Sequence, residues 1–360
     1  MSTILGLAGL TASDYAYVNN ANQELLYRGI EQYVSMANHD ITVAASAFVD
    51  PIPTTNFKER YQLTMSGRMQ RTSEETAGKP VARSGGWDVA YPLYNYHESV
   101  GLSDVDLAYM TPAELQAHVD GVIARSKNAK RHEILYRLFN NTQLTFTDKR
   151  HGSLTIEPVA NGDSALYPPV EGSDSEATED HFLESGYAAS AMSDTNNPYK
   201  TLVDDLVHHG TNTTDDIPIV AFIHPDQQTL TEALTNFVPY IPRQIQAGQD
   251  TDRILMPARP VPGKIIGYIR GMCWVSVWNW IPTSYIAAVN LAAPQPLKMR
   301  VDPQASLGSG NLVMLPEERN GVLTFNSWRL RFGIGASNRL GAAVMELGIG
   351  GTYSIPSAYS

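Results

Sequence analysis

Only one of the 360 residues, Cys273, is a cysteine. That excludes an internal disulfide and any multi-cysteine zinc site, and its apolar surroundings read it as a small core residue. Basic residues are also scarce: 26 Lys and Arg against 37 Asp and Glu give a formal net charge of -11. Gripping nucleic acid through its phosphates needs a basic surface, so DNA is expected to lie beside this chain without being held by it. No apolar run reaches the roughly 18 residues of a membrane span, and Met1-Ser2-Thr3-Ile4 lacks the basic flank of a signal peptide. Catalytic signatures are missing too. There is no Gly-x-Ser-x-Gly elbow, Walker-type phosphate loop or His-Glu-x-x-His helix, and Gly333-Ile334-Gly335 lacks the third glycine of a dinucleotide site. His208 and His209 are adjacent, and neighbouring helical side chains point about 100° apart, which weighs against a shared metal. Asp104 and Asp106 read as turn chemistry before a helix. No catalytic, cofactor-binding or metal residue is assigned, no cofactor is expected, and the chain is expected not to be an enzyme. A soluble hydrolase using His224 or Asp226 remains the alternative of another class, although Pro225-Asp226 reads as a helix start.

What the chain does contain is a hydrophobic fraction of 43%, enough for a substantial core. Residues 54–101 stand out. Phe57, Tyr61, Leu63 and Met65 alternate with Lys58, Arg60, Gln62 and Thr64, and Trp87, Val89, Tyr91 and Leu93 alternate on the return leg. Between them Thr72-Ser73-Glu74-Glu75-Thr76-Ala77-Gly78-Lys79-Pro80 is turn chemistry without an apolar anchor. A two-stranded ribbon is marginal alone in water. Its apolar face therefore lies either on its own chain or on a neighbouring copy, and both readings stay open.

Before the ribbon, residues 14–38 read as a helix with the stripe Leu26, Ile30, Tyr33 and Ala37, stopped by Pro51 and Pro53. After it, Thr111-Pro112-Ala113-Glu114 is a capping box with proline at the first helical position, opening a helix that runs to Phe139 before Asn140-Asn141. Its basic residues Arg125, Lys127, Lys130, Arg131 and Arg137 suit the negative end of the helix dipole. Short strands at 144–147 and 153–158, an exposed loop at 161–180 and a helix at 198–209 follow. Then come a strand at 217–223, a helix at 225–237 and apolar runs at 264–269, 272–281 and 285–291. In the middle run Trp274, Trp278 and Trp280 fall on one face, opposite Val275 and Val277, which marks a strand buried on both faces in the core of a second domain. The tail, from 322–325 through 328–335, is strand-like and glycine-rich, and Arg329 and Arg331 are expected to make intersubunit or intrachain ion pairs rather than an anion site.

Charge is unevenly spread. Residues 58–83 hold six basic residues (Lys58, Arg60, Arg68, Arg71, Lys79, Arg83) against Glu59, Glu74 and Glu75, whereas residues 163–216 hold twelve acidic residues and one basic, Lys200. Either both are solvated surfaces, or the basic ribbon of one copy lies on the acidic surface of the next.

The order of parts, with Trp274-Val275-Ser276-Val277-Trp278-Asn279-Trp280-Ile281-Pro282, Pro296-Leu297-Lys298-Met299-Arg300-Val301 and the tail Trp328-Arg329-Leu330-Arg331-Phe332-Gly333-Ile334-Gly335, resembles the major capsid proteins of tailed bacteriophages. The resemblance implies the α+β Hong Kong 97-type shell fold: N-terminal arm and helix at 1–53, extended β-hairpin loop at 54–101, peripheral domain with a long spine helix at 102–184, axial domain at 185–304 and C-terminal return strands at 305–360. It implies a virion shell of hexamers and pentamers around double-stranded DNA, assembled in the host cytoplasm, with scaffolding, portal and decoration proteins as partners and no membrane. A bacterial nanocompartment shell of the same fold is the nearer alternative. Arg60, Arg68, Arg71, Lys79, Arg83 and Trp87 are the expected intersubunit contacts. Some members of the family join Lys to Asn covalently, and Lys58 and Lys79 lie in the right loop without a motif to single one out. No scaffolding segment is expected before the arm, so the expected scaffold is a separate protein.

Overall fold

The computed structural model describes residues 23–62, 71, 86–170, 173, 175–209, 218–240, 260–315, 318–320 and 323–360. Helix α1, Gln23–Ala45, runs past the expected end at Asn38, because Ile41 continues the buried stripe of Leu26, Ile30, Val34 and Ala37. Asn38 is buried in it, donating from Nδ2 to the Leu312 carbonyl (3.2 Å) and accepting from the Leu312 N–H (3.0 Å). Strands β1, Lys58–Gln62, and β2, Gly86–Ala90, form a hairpin base, and β3, Tyr94–Ser103, follows. Asp104 and Asp106, expected from sequence as turn chemistry before a helix, lie within the first turn of one. Ser103 caps a six-residue helix α2, Asp104–Tyr109, and Asp106 closes its capping box.

Helix α3, Pro112–Phe139, has the expected bounds and the Thr111–Glu114 capping box; its 28 residues span about 42 Å. Val119, Val122, Ile123, Ile134, Leu135, Leu138 and Phe139 are buried, as the sequence pattern requires. Lys130 and Arg137, near the negative end of the helix dipole, are buried as well, at 5% and 4% exposure. Arg137 donates to the Tyr94 hydroxyl (3.1 Å), and Lys130 lies 5.9 Å from the centre of the Phe332 ring, its amine pushed down to about 8 by burial.

A small hairpin, β4 Leu144–Asp148 and β5 Gly152–Ile156, leads through residues 157–181 to β6, Phe182–Glu184. The stretch 161–180 is not simply an exposed loop: Tyr167 is fully buried and the chain folds back through bridges Asn161↔Asp180 and Tyr167↔Ala177. Helix α4, Pro198–Val207, then precedes β7, Ile219–Ile223. The helix expected over 225–237 is instead a 3-10 turn, the short α5, Gln228–Glu232, and an edge strand β8, Phe237–Pro239. Next come β9 Lys264–Ile269, β10 Cys273–Val277, β11 Tyr285–Asn290, β12 Leu297–Val301, β13 Val313–Met314, β14 Glu318–Asn320, β15 Leu323–Ala336 and β16 Ala342–Glu346. Strand β10 stops at Val277, so Trp278 and Trp280 lie in the following turn and not on one strand face with Trp274.

Two sheets organise these strands. The seven-stranded sheet has the order β6-β16-β11-β7-β10-β9-β8, with β7/β10 and β6/β16 parallel and the other pairs antiparallel. Its central strand β7 is buried at every position, as is β11. The other sheet is built on β15. Strand β3 pairs with Leu323 to Phe332 along one edge, and β12, β13 and β14 succeed one another along the other. The expected division at residue 304 is therefore crossed by pairing: β12 joins β15, while β16, near the C-terminus, sits inside the seven-stranded sheet between β6 and β11. The tail, strand-like in sequence from 322 through 335, is one strand of 14 residues.

Glycine permits the closest crossing. A Cβ on Gly333 would lie 2.0 Å from the Pro92 carbonyl oxygen, and one on Gly335 would lie 2.9 Å from the Ala90 carbonyl oxygen. This accounts for Gly333-Ile334-Gly335 as a bed for the chain leaving the ribbon. Gly333→Ala is expected to lower unfolding stability by about 1–3 kcal/mol through overpacking against backbone. Gly121→Ala on α3, where a Cβ meets only the Arg125 side chain at 3.6 Å, is expected to raise it by about 0.5–1 kcal/mol. Denaturant midpoints of the two variants measured side by side check both signs.

Candidate intersubunit surface

The ribbon base has the alternation read from its sequence. Tyr61 pairs with Trp87 and Glu59 with Val89. On the apolar face Trp87 stacks on Tyr61 with ring centres 5.3 Å apart, tilts against Tyr167 at 5.1 Å, and donates from Nε1 to the Ser337 carbonyl (3.0 Å). Val89, Tyr91, Ala160 and Leu340 complete this cluster. Of the two readings for the ribbon, the base thus takes the first: its apolar face lies on its own chain. Trp87, expected as an intersubunit contact, is 5% exposed and has no face left to offer a neighbour. Aromatic alternation marks burial without saying whose surface covers it.

Glu59 anchors the root of the ribbon. Its carboxylate accepts from Thr54 Oγ1 (2.5 Å), Asn56 Nδ2 (3.1 Å), Lys298 Nζ (3.1 Å) and the Tyr91 hydroxyl (3.4 Å). Burial works to raise its pKa, but the hydrogen bonds from Thr54, Asn56 and Lys298, with the Lys298 charge, outweigh it and hold the carboxyl below its usual value. Nearby, Arg300 makes a buried ion pair with Asp148 (3.0 Å) and donates to the Tyr91 carbonyl (2.9 Å). Phe57 stacks on His151 with ring centres 3.8 Å apart.

The outward face is polar. Lys58 and Arg60 both reach Asp88 across the hairpin, at 3.2 and 3.3 Å, and their hydrogen bonds hold the Asp88 carboxyl low. Arg60 is exposed but part of its charge is already answered within the chain; such a pair contributes little to stability. Arg71 is exposed. Arg68, Lys79 and Arg83 lie outside the described residues, so the structure brings none of the basic candidates other than Arg60 against a described partner.

The acidic segment is less free than its composition suggests. Asp163 pairs with the buried Arg339 (2.8 Å), which also donates to the Pro158 carbonyl (2.7 Å) and to Asn161 (3.0 Å). Asp180 accepts from the Phe182 N–H, Glu184 from the Gly351 N–H, and Asp194 from Thr235. Glu179 faces His208 and His209.

Exposed apolar side chains that the sequence pattern did not mark lie elsewhere. Val105 and Tyr109 of α2 are 65% and 66% exposed, and Ile52 and Ile349 are 72% and 78% exposed. The four-residue spacing of Val105 and Tyr109 was the legible signal, hidden because a six-residue helix has too little periodicity to register. Of the residues considered for a hydrolase, His224 Nδ1 accepts the Asp226 N–H (3.2 Å) at the start of the 3-10 turn, the helix start expected at Pro225-Asp226. Arg329 donates to the Ser306 carbonyl (2.9 Å) and Arg331 pairs with Asp302 (2.9 Å), both within the chain. Cys273 is buried, its thiol pushed up by burial.

Trp87→Ala is expected to cost about 3–5 kcal/mol of subunit stability, as for a buried core aromatic, whereas a tryptophan at an interface between copies would leave the isolated subunit unchanged in a melt. For Glu59 the sign follows from its depressed pKa. Its contribution is complete above the ordinary value of 4.5 and disappears as pH falls through the lower folded value. Glu59→Gln should therefore lower stability at neutral pH and make the acid limb of a pH–stability curve shallower.

No protein-family model matches the sequence, and no curated protein matches it. Among solved structures, one titled "Mycobacterium phage Patience" is 17% identical, covers 98% of both chains and has a TM-score of 0.66. "Capsid of empty GTA particle computed with C5 symmetry" is 13% identical over 85% of this chain and 90% of that one, with a TM-score of 0.48. A virus-like particle from Pyrococcus furiosus is 9% identical over 88% and 98%, with a TM-score of 0.42. The last two agree with this backbone too loosely to carry an argument. The mixed helix-and-sheet fold of this chain is shared with the Mycobacterium phage Patience structure over nearly its whole length, in keeping with the resemblance to phage shell proteins drawn from the order of elements.

Proposed function

We propose that this chain is a structural protein, the repeating major capsid subunit of a tailed-phage icosahedral shell that encloses double-stranded DNA. The observation that carries the reading is the fold shared with the Mycobacterium phage Patience structure across 98% of both chains. The parts then take these roles. Residues 54–101 form the extended loop, which leaves the body at the β1/β2 base and reaches a neighbouring copy through its polar face and tip. Helix α3 is the spine of a peripheral domain at 102–184, the sheet containing β7, β10 and β11 forms the axial domain at 185–304, and 305–360 supplies return strands to both sheets. Arg60, Arg68, Arg71, Lys79 and Arg83 are contacts between copies, joined by the exposed apolar Val105 and Tyr109; Trp87 serves the root of the loop.

The energetics suit a shell. Each contact gains roughly 25 cal/mol per Å2 of apolar area buried, less the cost of association, so single contacts are modest while many of them in a closed shell are cooperative. A net charge of -11 suits a wall that packaged DNA presses against without adhering. The partners are other copies in hexamers and pentamers, with scaffolding, portal and decoration proteins. The place of action is the virion, after assembly in the host cytoplasm.

Negative-stain microscopy of the protein expressed with its scaffold is expected to show rings or closed shells. Monomers under every assembly condition would sink the reading, and shells filled with a cargo enzyme in place of DNA would reassign the chain to a nanocompartment. Deleting residues 69–83 is expected to leave a soluble subunit with an unchanged melting temperature that no longer forms shells.

A further inference from the structure

Within the acidic segment, three donor atoms converge between the end of α4 and the stretch before β6. Helix α4 ends at Val207; His208 is its cap, with φ -64° and ψ -15°, and His209 is already in the turn beyond. The 100° separation expected of neighbours within a helix therefore does not govern the pair. Their ring centres are 4.3 Å apart, and both rings turn Nε2 towards the Glu179 carboxylate, His208 at 3.5 Å from Oε2 and His209 at 3.4 Å from Oε1.

The opposite nitrogen of each ring is engaged with a backbone carbonyl: His208 Nδ1 with Asp204 (3.0 Å) and His209 Nδ1 with Pro168 (2.8 Å). A carbonyl only accepts, so each Nδ1 carries a proton, and the Nε2 of a ring with no second proton presents a lone pair. Neither Nε2 has a hydrogen-bond partner, and the His209 side chain is 2% exposed. Two imidazole lone pairs aimed at a carboxylate repel one another unless a cation lies between them. Imidazole Nδ1–H donated to a main-chain carbonyl is also the arrangement that orients metal-ligating histidines.

The spacing suits one ion. Donors bound tetrahedrally at about 2.0–2.1 Å stand about 3.3–3.4 Å apart, close to the two His–Glu separations, and all three donor atoms lie within 4.8 Å of one another. We propose that Glu179, His208 and His209 bind a single zinc ion, with water in the fourth position. Two imidazoles and one carboxylate form a borderline donor set that suits Zn2+ over the hard, all-oxygen preference of Mg2+ or Ca2+. The ion ties the segment 161–181 to the end of α4, reinforcing the His209–Pro168 contact between them. Its role is structural, a clasp between that segment and the end of α4.

The test uses tag-free, chelator-treated full-length protein. Calorimetric titration with zinc chloride is expected to give one site per chain, and one equivalent of Co2+ should give the intense visible bands of four-coordinate cobalt. His208→Ala, at a partly exposed position, and Glu179→Gln are each expected to weaken zinc binding more than about tenfold and to abolish the rise in melting temperature that zinc gives the unsubstituted protein. His224→Ala, at the cap before α5, should bind as the unsubstituted protein does. His209→Ala is a supporting variant, scored only if its circular dichroism shows it folded. Absence of saturable zinc binding, or binding unchanged in both His208→Ala and Glu179→Gln, overturns the proposal.

Discussion

The crossing of residues 90–93 over Gly333 and Gly335 is the constraint on which the rest of the described structure depends. The chain leaving the ribbon must pass directly over β15 before it can turn and pair with that same strand as β3, and the Pro92 carbonyl lies where any side chain on Gly333 would stand. Once that crossing is made, Tyr94 faces Phe332 in register, β12 takes the opposite edge, and Arg300 on β12 can reach the Tyr91 carbonyl beneath the ribbon. The direction in which the ribbon departs is thus set by backbone packed on backbone, with glycine as the only residue that fits.

Around that crossing the chain buries charge in positions where loss of one partner is costly. Arg300 and Asp148 are 6% and 8% exposed in their side chains, and Arg339 is 2% exposed beside Asp163. Buried pairs of this kind add little net stability, because desolvation offsets attraction, but stranding one member destabilises strongly. Their effect is one of register. Arg339 holds the segment 158–163 against the end of β15, and Arg300 holds the β4/β5 hairpin against the root of the ribbon. Both bear on the surface from which the loop emerges.

Charge complementarity between copies, suggested by the opposite signs of residues 58–83 and 163–216, is narrowed by these intrachain uses. Arg60 shares Asp88 with Lys58, while Asp163, Asp180, Glu184 and Asp194 serve turns and pairs inside the chain. Net charge along a segment counts carboxylates without regard to where they point. Beside these engaged groups the described surface carries exposed apolar side chains such as Val105 and Tyr109.

Local rules made several parts legible. The capping box at Thr111 and the asparagine at 140 bounded α3 to the residue, the alternation around Tyr61 and Trp87 gave the ribbon base, and the apolar run at 217–223 gave the strand β7. These features depend on hydrogen bonds and side-chain periods within a few residues, which sequence carries directly. Tertiary structure alone decided that Trp87 is covered by its own chain, that β3 and β15 are partners across more than 200 residues of sequence, and that β16 lies inside a sheet whose other strands come far earlier. It also decided that His208 and His209 leave their helix to face Glu179. Each of these depends on which distant surface packs against a local element, and the period of an amphipathic segment records that a face is buried, not what buries it.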